Sequence, residues 1–331
     1  MTEYVIIKSF TNILLLSNSI QNKSFLTLNT AIFFGKSTNL EVTEQIGDYT
    51  ENEKKAIKKE FQNLHKNKTN MNNILRVIKD KKIPATENMA TDEVLLNSCI
   101  KYNTSTLRFY YWEHPTLSLG RNQKLSDINL AELEKNNFDI VRRPTGGNAV
   151  FHDDEITYSA TFKIPQGKFG SIVESCRLIH LAMAKALNKM GIITYLSPSI
   201  QVAHKDPKAS DPVCFAHASD TELIYNGIKL IGSAQMRRSG CLMQHGSIPF
   251  SIDKKKLLNL FSKTDCTEND EFSPGLPIRD KQDIFMDFFS KALATNLGLT
   301  EQIGDYTDEE KEAIKELKKN KYMTKEWMEK R

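Results

Sequence analysis

The sequence predicts an α+β fold in which a mostly antiparallel or mixed sheet is flanked by helices. Three observations carry this reading. Two tight turns, Asn226-Gly227 and Arg238-Ser239-Gly240, join apolar strand-like runs, and Asn-Gly is the strongest short hairpin signal. A long amphipathic stripe, Ile172, Cys176, Ile179, Met183, Leu187 and Met190, repeats with the 3.6-residue period of a helix. The remaining strand-like segments do not alternate regularly with helices, as a βαβ fold would require.

The elements follow in order. Thr86 to Ile100 reads as a helix with Thr86 as its cap. Leu107, Phe109 and Tyr111 alternate with Arg108 and Tyr110, a strand pattern. Leu117 and Leu119 continue extended structure to Gly120. Ser126 caps a short helix through Leu130 and Leu133. Phe138 to Val141 and Ala149 to Phe151 flank a glycine turn, and Ile156, Tyr158, Ala160 and Phe162 alternate as a further strand. The stripe runs from Ser171 to Met190, where Gly191 ends the helix. TELIY and IKLIG form the Asn226-Gly227 hairpin. The second hairpin turns into CLMQHGSIPF, and helices follow around Lys254–Phe261, Gln282–Leu297 and Thr307–Lys318.

Composition bounds the class. The chain has 331 residues, 40% hydrophobic and 26% charged, with 15 Gly and 10 Pro, enough for a sizeable core in one large domain or two ordinary ones. Cys99, Cys176, Cys214, Cys241 and Cys266 form no CxxC pair, which argues against a disulfide framework and a cysteine-rich zinc site; no metal is expected. No apolar run approaches the ~18 residues of a membrane span, and Ser17-Asn18-Ser19 interrupts the run from Ile13 to Leu16. The expectation is a cytoplasmic protein with no membrane partner. The net charge of +4 is concentrated: residues 51–83 hold ten Lys or Arg against four Asp or Glu, leaving −2 for the remainder. Lys54, Lys55, Lys58, Lys59, Lys66 and Lys68 read as part of a polar, solvated helix and linker, so no nucleic-acid partner is expected.

One internal repeat organises the chain. TEQIGDYT occurs at Thr43–Thr50 and again at Thr300–Thr307, preceded both times by TNL and followed by ENEKKAIK and DEEKEAIK. Thr50 with Glu53 and Thr307 with Glu310 have the spacing of a capping box. Residues 1–70 therefore read as an N-terminal extension carrying a duplicated tail, by gene fusion or a misplaced start, or as a regulatory arm. Residues 71–331 read as a catalytic domain with C-terminal helices.

Chemistry-bearing residues lie in that second part. Arg142-Arg143-Pro144-Thr145-Gly146-Gly147-Asn148 places two cations, a hydroxyl and a flexible turn between strands, and paired glycines let backbone N–H groups approach an anion. It is also what an ordinary turn looks like, as is His152-Asp153 after it. Lys229 stands in IKLIG, whose two faces both look apolar; burial there is costly unless the lysine is paired, and lowers its pKa, whereas a lysine at a hairpin tip can also snorkel outward. Cys214, in the loop DPVCF, is a reachable thiol, and a neighbouring ammonium would favour its thiolate. Cys176 and Cys241 read as small core residues.

Taken together, RRPTGG-x-AVxHD, CF…ELxxxGxKxxGSAQ and QHGSI resemble the lipoate/octanoate transferase and ligase superfamily, which also holds biotin protein ligases. ENMATDEVLL and FYYWEHPTLSLGRNQ are similar to its early helix and first hairpin. The resemblance runs from about Leu75 to the C-terminus. It implies the biotin/lipoate protein ligase catalytic domain, related to class II aminoacyl-tRNA synthetases. Within the superfamily the chain resembles cysteine-dependent octanoyltransferases, with Cys214 as nucleophile and Lys229 fifteen residues on. Asn148 departs from the glycine or arginine found there.

The resemblance implies that Cys214 takes an octanoyl or lipoyl group from acyl carrier protein and passes it to a lysine of a lipoyl domain or glycine-cleavage H protein. Catalysis falls to Cys214 and Lys229. Substrate binding falls to Arg142, Arg143, Thr145, Gly146, Gly147, Asn148, His152, Gly232, Ser233, Ala234 and His245. No cofactor is required on this reading. The alternative is a lipoate-protein ligase that uses ATP and Mg and passes through lipoyl-AMP.

Overall fold

The computed structural model describes residues 73–164, 170–197, 222–264 and 275–330. The chain divides into two units, residues 1–68 and 69–331. The first unit, with the first TEQIGDYT copy, lies outside the described residues, as do Cys214 and Cys266.

The described fold opens with β1 (Ile74–Ile83), α1 (Ala85–Tyr102) and β2 (Ser105–Trp112), and β1 and β2 pair in parallel. This is a βαβ crossover, as is the next segment: β3 (Thr116–Leu119), α2 (Leu130–Lys135) and β4 (Asp139–Arg142), with β3 and β4 parallel. Neither crossover was expected: the lysine-rich β1 hides the strand pattern of the first, and in the second no local signal shows that the strands on either side of α2 pair in parallel. The hairpin expected in FYYWEHPTLSLGRNQ does not form. β2 belongs to a six-stranded sheet and β3 to a separate three-stranded one.

The chain continues through β5 (Val150–His152), β6 (Glu155–Lys163), α3 (Ile172–Lys189), β7 (Tyr195–Leu196), β8 (Leu223–Tyr225), β9 (Ile228–Lys229), β10 (Gly232–Arg238) and β11 (Cys241–Pro249). It ends with α4 (Lys254–Asn259), α5 (Gln282–Leu297), β12 (Thr300–Ile303), α6 (Asp308–Leu317) and α7 (Lys325–Met328). The six-stranded sheet has the order β10-β11-β6-β2-β1-β12. It is antiparallel from β10 to β2 and parallel from β2 to β12, hence mixed. The α+β class is as predicted.

Both expected hairpins form. β8–β9 turns at Asn226 (φ 51°) and Gly227 (φ 81°), and β10–β11 turns at Ser239 (φ 49°) and Gly240 (φ 75°), the paired positive φ values of a type I′ turn. Ser171 and Glu174 form a capping box on α3, and Thr307 and Glu310 form one on α6. Two expected caps are displaced. Pro84, not Thr86, precedes α1, and proline suits a helix start because the N–H it lacks has no helical partner there. Asn129, not Ser126, caps α2 by accepting from the Glu132 N–H.

Both faces of the large sheet are covered. Leu107 and Phe109 of β2 pack towards α3 and α5, with Phe109 edge-on to Phe289. Arg108 and Tyr110, on the opposite face, meet α1. The alternation in β2 therefore separates two buried faces, not core from solvent.

Candidate active site

A narrow cavity opens where the small sheet meets β10 and β11. Among its lining residues are Trp112, Ser118, Arg143, Gly147, His152, Gly232, Ser233, Ala234, His245 and Gly246. Strand order explains why the glycine motif is here. β4 and β5 both pair with β3, one on each side, so residues 143–149 must cross the end of β3. Arg143 N–H donates to the Leu119 carbonyl at 3.0 Å, and Arg121 N–H donates to the Thr145 carbonyl at 2.8 Å. A Cβ at Gly120 would lie 1.8 Å from the Gly147 carbonyl oxygen, and Gly147 itself has φ +89°, so the crossing requires glycine at both positions.

Arg143 organises the crossing from inside. Its Nη2 donates to the carbonyls of Gly146 (2.8 Å) and Asn148 (2.6 Å), its Nη1 to Ser118 O (2.8 Å), and its Nε to Thr145 Oγ1 (3.2 Å). The guanidinium fork matches a loop that curls around it. Arg142 is placed differently. It points away from the cavity and donates to the carbonyls of Gly120, Gln123 and Met328 at 2.7–3.0 Å. Burial lowers its pKa.

Two buried chains of hydrogen bonds converge on this turn. In the first, Asp92 Oδ2 of α1 lies 2.9 Å from His245 Nδ1, and His245 Nε2 lies 2.7 Å from Thr145 Oγ1. Arg108 Nη1 donates to Asp92 Oδ1 at 2.9 Å, and Tyr110 OH donates to Asp92 Oδ2 at 3.1 Å. Burial works against the Asp92 charge, but the His245 hydrogen bond and Arg108 outweigh it and hold the carboxyl below its ordinary value. Burial pushes the His245 imidazole below its ordinary value, and the nearby Arg143 and His152 add to that against Asp92. We therefore assign a neutral ring with its proton on Nδ1, which leaves Nε2 to accept from the Thr145 hydroxyl.

In the second chain, His152 Nδ1 lies 2.8 Å from Glu155 Oε1, and His152 Nε2 lies 2.8 Å from Ser118 Oγ. Thr157 and Ser247 also donate to Glu155, and the His152 ring stacks on Trp112 with centroids 4.1 Å apart.

Lys229 is buried on β9, and its Nζ lies 3.0 Å from Glu222 Oε1. The charge that the sequence flagged as expensive thus has a carboxylate partner, which offsets its desolvation. Lys229 precedes Gly232–Ala234 of the cavity wall by three residues. Asn148 sits in the crossing, where its carbonyl meets Arg143. The structure thus gathers Arg143, Gly147, His152, Gly232, Ser233, Ala234 and His245 around one cavity, with Thr145, Gly146 and Asn148 in the turn that bounds it. Arg142 is not among them.

Sequence reasoning missed Asp92, Arg108 and Glu155, which support this wall, and His180. His180 is buried in α3, with Nε2 3.1 Å from Ser233 Oγ and a ring nitrogen 3.7 Å from Cys176 Sγ. The only signal for His180 was its place on the stripe one turn after Cys176.

Comparisons with known proteins show the family. A model of the family described as the lipoyl protein ligase A/B catalytic domain matches residues 84–277. "Octanoyltransferase LipM" of Halalkalibacterium halodurans is 35% identical over 263 residues, covering 72% of this chain and 93% of that protein. "Octanoyltransferase LipM" of Clostridioides difficile is 38% identical over 279 residues, covering 77% and 98%. A crystal structure of lipoate-protein ligase A bound with ATP superposes with a TM-score of 0.64 at 20% identity, covering 76% of this chain and 97% of that one, a likeness of fold. The chain belongs to the lipoyl protein ligase A/B catalytic domain family, and its relatives make it an acyltransferase.

Proposed function

We propose that this chain transfers an octanoyl group from a carrier-protein thioester, through a Cys214 acyl-enzyme, to a lysine of a lipoyl domain or glycine-cleavage H protein. The observation that carries the reading is the 32–38% identity to octanoyltransferases over at least 92% of each relative's length. The site chemistry is consistent with it. The cavity offers a narrow wall that includes Gly147, Gly232, Ser233 and Ala234, and the oxyanion donors are assigned to the backbone of these two segments.

In the first half-reaction the Cys214 thiolate attacks the thioester carbonyl carbon. The carrier thiolate leaves and takes a proton from the Lys229 ammonium. Lys229, with Glu222 holding its ammonium, favours the Cys214 thiolate by charge. In the second half-reaction the neutral amine of the acceptor lysine attacks the new thioester. Cys214 leaves as thiolate, and the proton shed by the amine returns to the Cys214–Lys229 pair. Thioester exchange is nearly balanced in energy and amide formation is downhill, so neither step draws on ATP. Each oxyanion donor at the turn contributes about 3 kcal/mol to the transition state.

The test is octanoyl transfer to a purified lipoyl domain, with octanoyl-acyl carrier protein as donor and ATP absent. Transfer at full rate supports the reading. Transfer only from free lipoate or octanoate with ATP and Mg replaces it with the ligase reading, for which the ATP-bound ligase is the structural precedent of fold.

A further inference from the structure

The two carboxylate–imidazole–hydroxyl chains, Asp92–His245–Thr145 and Glu155–His152–Ser118, start on different elements and end at the same guanidinium. Thr145 Oγ1 accepts from Arg143 Nε at 3.2 Å, and Ser118 offers Arg143 Nη1 both its carbonyl (2.8 Å) and its hydroxyl (3.5 Å). Every one of these side chains is buried. Each histidine has Nδ1 against its carboxylate and Nε2 against its hydroxyl, and the Ser118 hydroxyl also lies 3.4 Å from the Val150 carbonyl, a second acceptor for its proton.

We propose that Asp92 and Glu155 are positioning residues for acyl transfer. Through His245 and His152 they fix the hydroxyls of Thr145 and Ser118 around Arg143, and Arg143 fixes the Gly146–Asn148 backbone against the acyl carbonyl. The proposal deepens the functional reading above and rests on it for the identity of the acyl group.

The physical reason is directional. A hydroxyl has one proton to donate and two lone pairs with which to accept. Thr145 gives that proton to His245 Nε2 while it accepts from Arg143, and Nε2 accepts only while the ring proton sits on Nδ1, facing Asp92. Changing the tautomer turns an acceptor into a second donor aimed at the same hydroxyl. The Thr145 proton then loses its acceptor, and the hydroxyl must turn to find another, which disturbs Arg143 and the two carbonyls it holds. A displacement of the turn by about 1 Å costs on the order of 10²-fold in rate, because the oxyanion donors are useful only at the right distance.

The first measurement is spectroscopic and needs no substrate. In the full chain, ¹⁵N-labelled at its seven histidines, long-range ¹H–¹⁵N correlations identify each ring tautomer. His245→Gln and His152→Gln assign the two signals. The proposal expects a neutral His245 ring with its proton on Nδ1, an Nδ1–H on His152 facing Glu155, and movement of the His245 proton to Nε2 in Asp92→Asn. An Nε2-protonated or cationic His245 ring in the wild type, or a His152 ring without a proton on Nδ1, overturns it.

The second measurement is kinetic and uses a smaller change, should Asp92→Asn fold poorly. Thr145→Val keeps the shape of the side chain and removes the hydroxyl, and Thr145→Ser keeps the hydroxyl. Acylation by octanoyl-carrier thioester should fall about 10²-fold in Thr145→Val, in the rate constant and not in donor KM, and Thr145→Ser should restore it to within several-fold. A wild-type rate in Thr145→Val overturns the proposal. If the wild type forms no acyl-enzyme, the functional reading has failed. The tautomers then still decide the hydrogen-bond chains, and the variants are compared in ATP-dependent lipoate attachment.

Discussion

Trp327 Nε1 donates to the carbonyl oxygen of Arg142 at 2.9 Å, while the Arg142 guanidinium donates back to the neighbouring Met328 carbonyl at 2.7 Å. The last turn of the chain and the first residue of the glycine motif thus hold each other across 185 residues. Arg142 also ties down the loop of Gly120–Gln123, so the C-terminal segment braces the outer side of the turn that Arg143 braces from within.

Trp327→Phe should therefore lower the unfolding free energy by about 1 kcal/mol through the lost hydrogen bond, and Trp327→Ala by about 3 kcal/mol or more once its packing is lost. Urea denaturation of the two variants against the wild type checks this. Equal stability of all three would mean the clamp is ornamental.

Tyr306, from the second TEQIGDYT copy, hydrogen-bonds to Asp80 and receives Arg108 Nε at 2.9 Å. Arg108 in turn serves Asp80, Asp92 and Asn88 with no exposure to solvent. Tyr306→Phe leaves one donor short in that buried set and should cost about 1–3 kcal/mol of stability, read by thermal or urea unfolding. It should also slow transfer more than Ile303→Ser, a change at an exposed position of the same segment.

Stability should fall with acid in two stages. The folded pKa of His245 lies below 6.5, so as pH falls through 6.5 the unfolded chain binds a proton that the folded chain refuses, and stability declines. The groups facing His245 are Asp92, Arg143 and His152. Below about 4.5 a second decline follows from Asp92, Glu93 and Glu310. Burial opposes their charge, but their partners outweigh it and lower their folded pKa values. For Glu310 the partner is a bidentate Arg76 at 2.7 and 2.8 Å. Their stabilisation is complete above the unfolded pKa and vanishes as pH drops through the folded one. His245→Gln should remove the upper stage and leave the lower one. A denaturation series from pH 8 to pH 3 separates them.

Residues 1–70 should be dispensable. The second TEQIGDYT copy has its own places in the fold: Thr300–Ile303 as β12 beside β1, Tyr306 at Arg108, Thr307 as the α6 cap. A chain beginning at Met71 should match the full chain in transfer rate and acceptor KM. A shift in either by an order of magnitude would give the extension a regulatory part.

Much of this was legible in the sequence because it depends on local rules. The turns at Asn226-Gly227 and Ser239-Gly240, the α3 stripe and the Thr307–Glu310 capping box need only neighbours along the chain. The crossing of β3 by residues 143–149 was not legible, since strands on either side of a glycine turn read as a hairpin until a third strand is found between them. Arg108 was hidden more deeply. A cation alternating with Leu107 and Phe109 reads as solvent-facing, and only α1 on the second face makes it buried. Arg142 and Arg143 are adjacent and chemically identical, so no local signal separates the residue that faces the cavity from the one that clamps the tail. Asp92 sits in a helix whose buried face is mixed polar and apolar, and its partner His245 is 153 residues away.

The central claim is a covalent intermediate on Cys214 supported by Lys229. Wild type, Cys214→Ala and Lys229→Ala should each be incubated with octanoyl-acyl carrier protein without ATP, then examined by intact mass and peptide mapping. The account predicts an octanoyl group on Cys214 in the wild type that is discharged onto an added lipoyl domain. It predicts none in Cys214→Ala, and in Lys229→Ala acylation slowed by about 10²-fold or more. An acylated, active Cys214→Ala protein would contradict it.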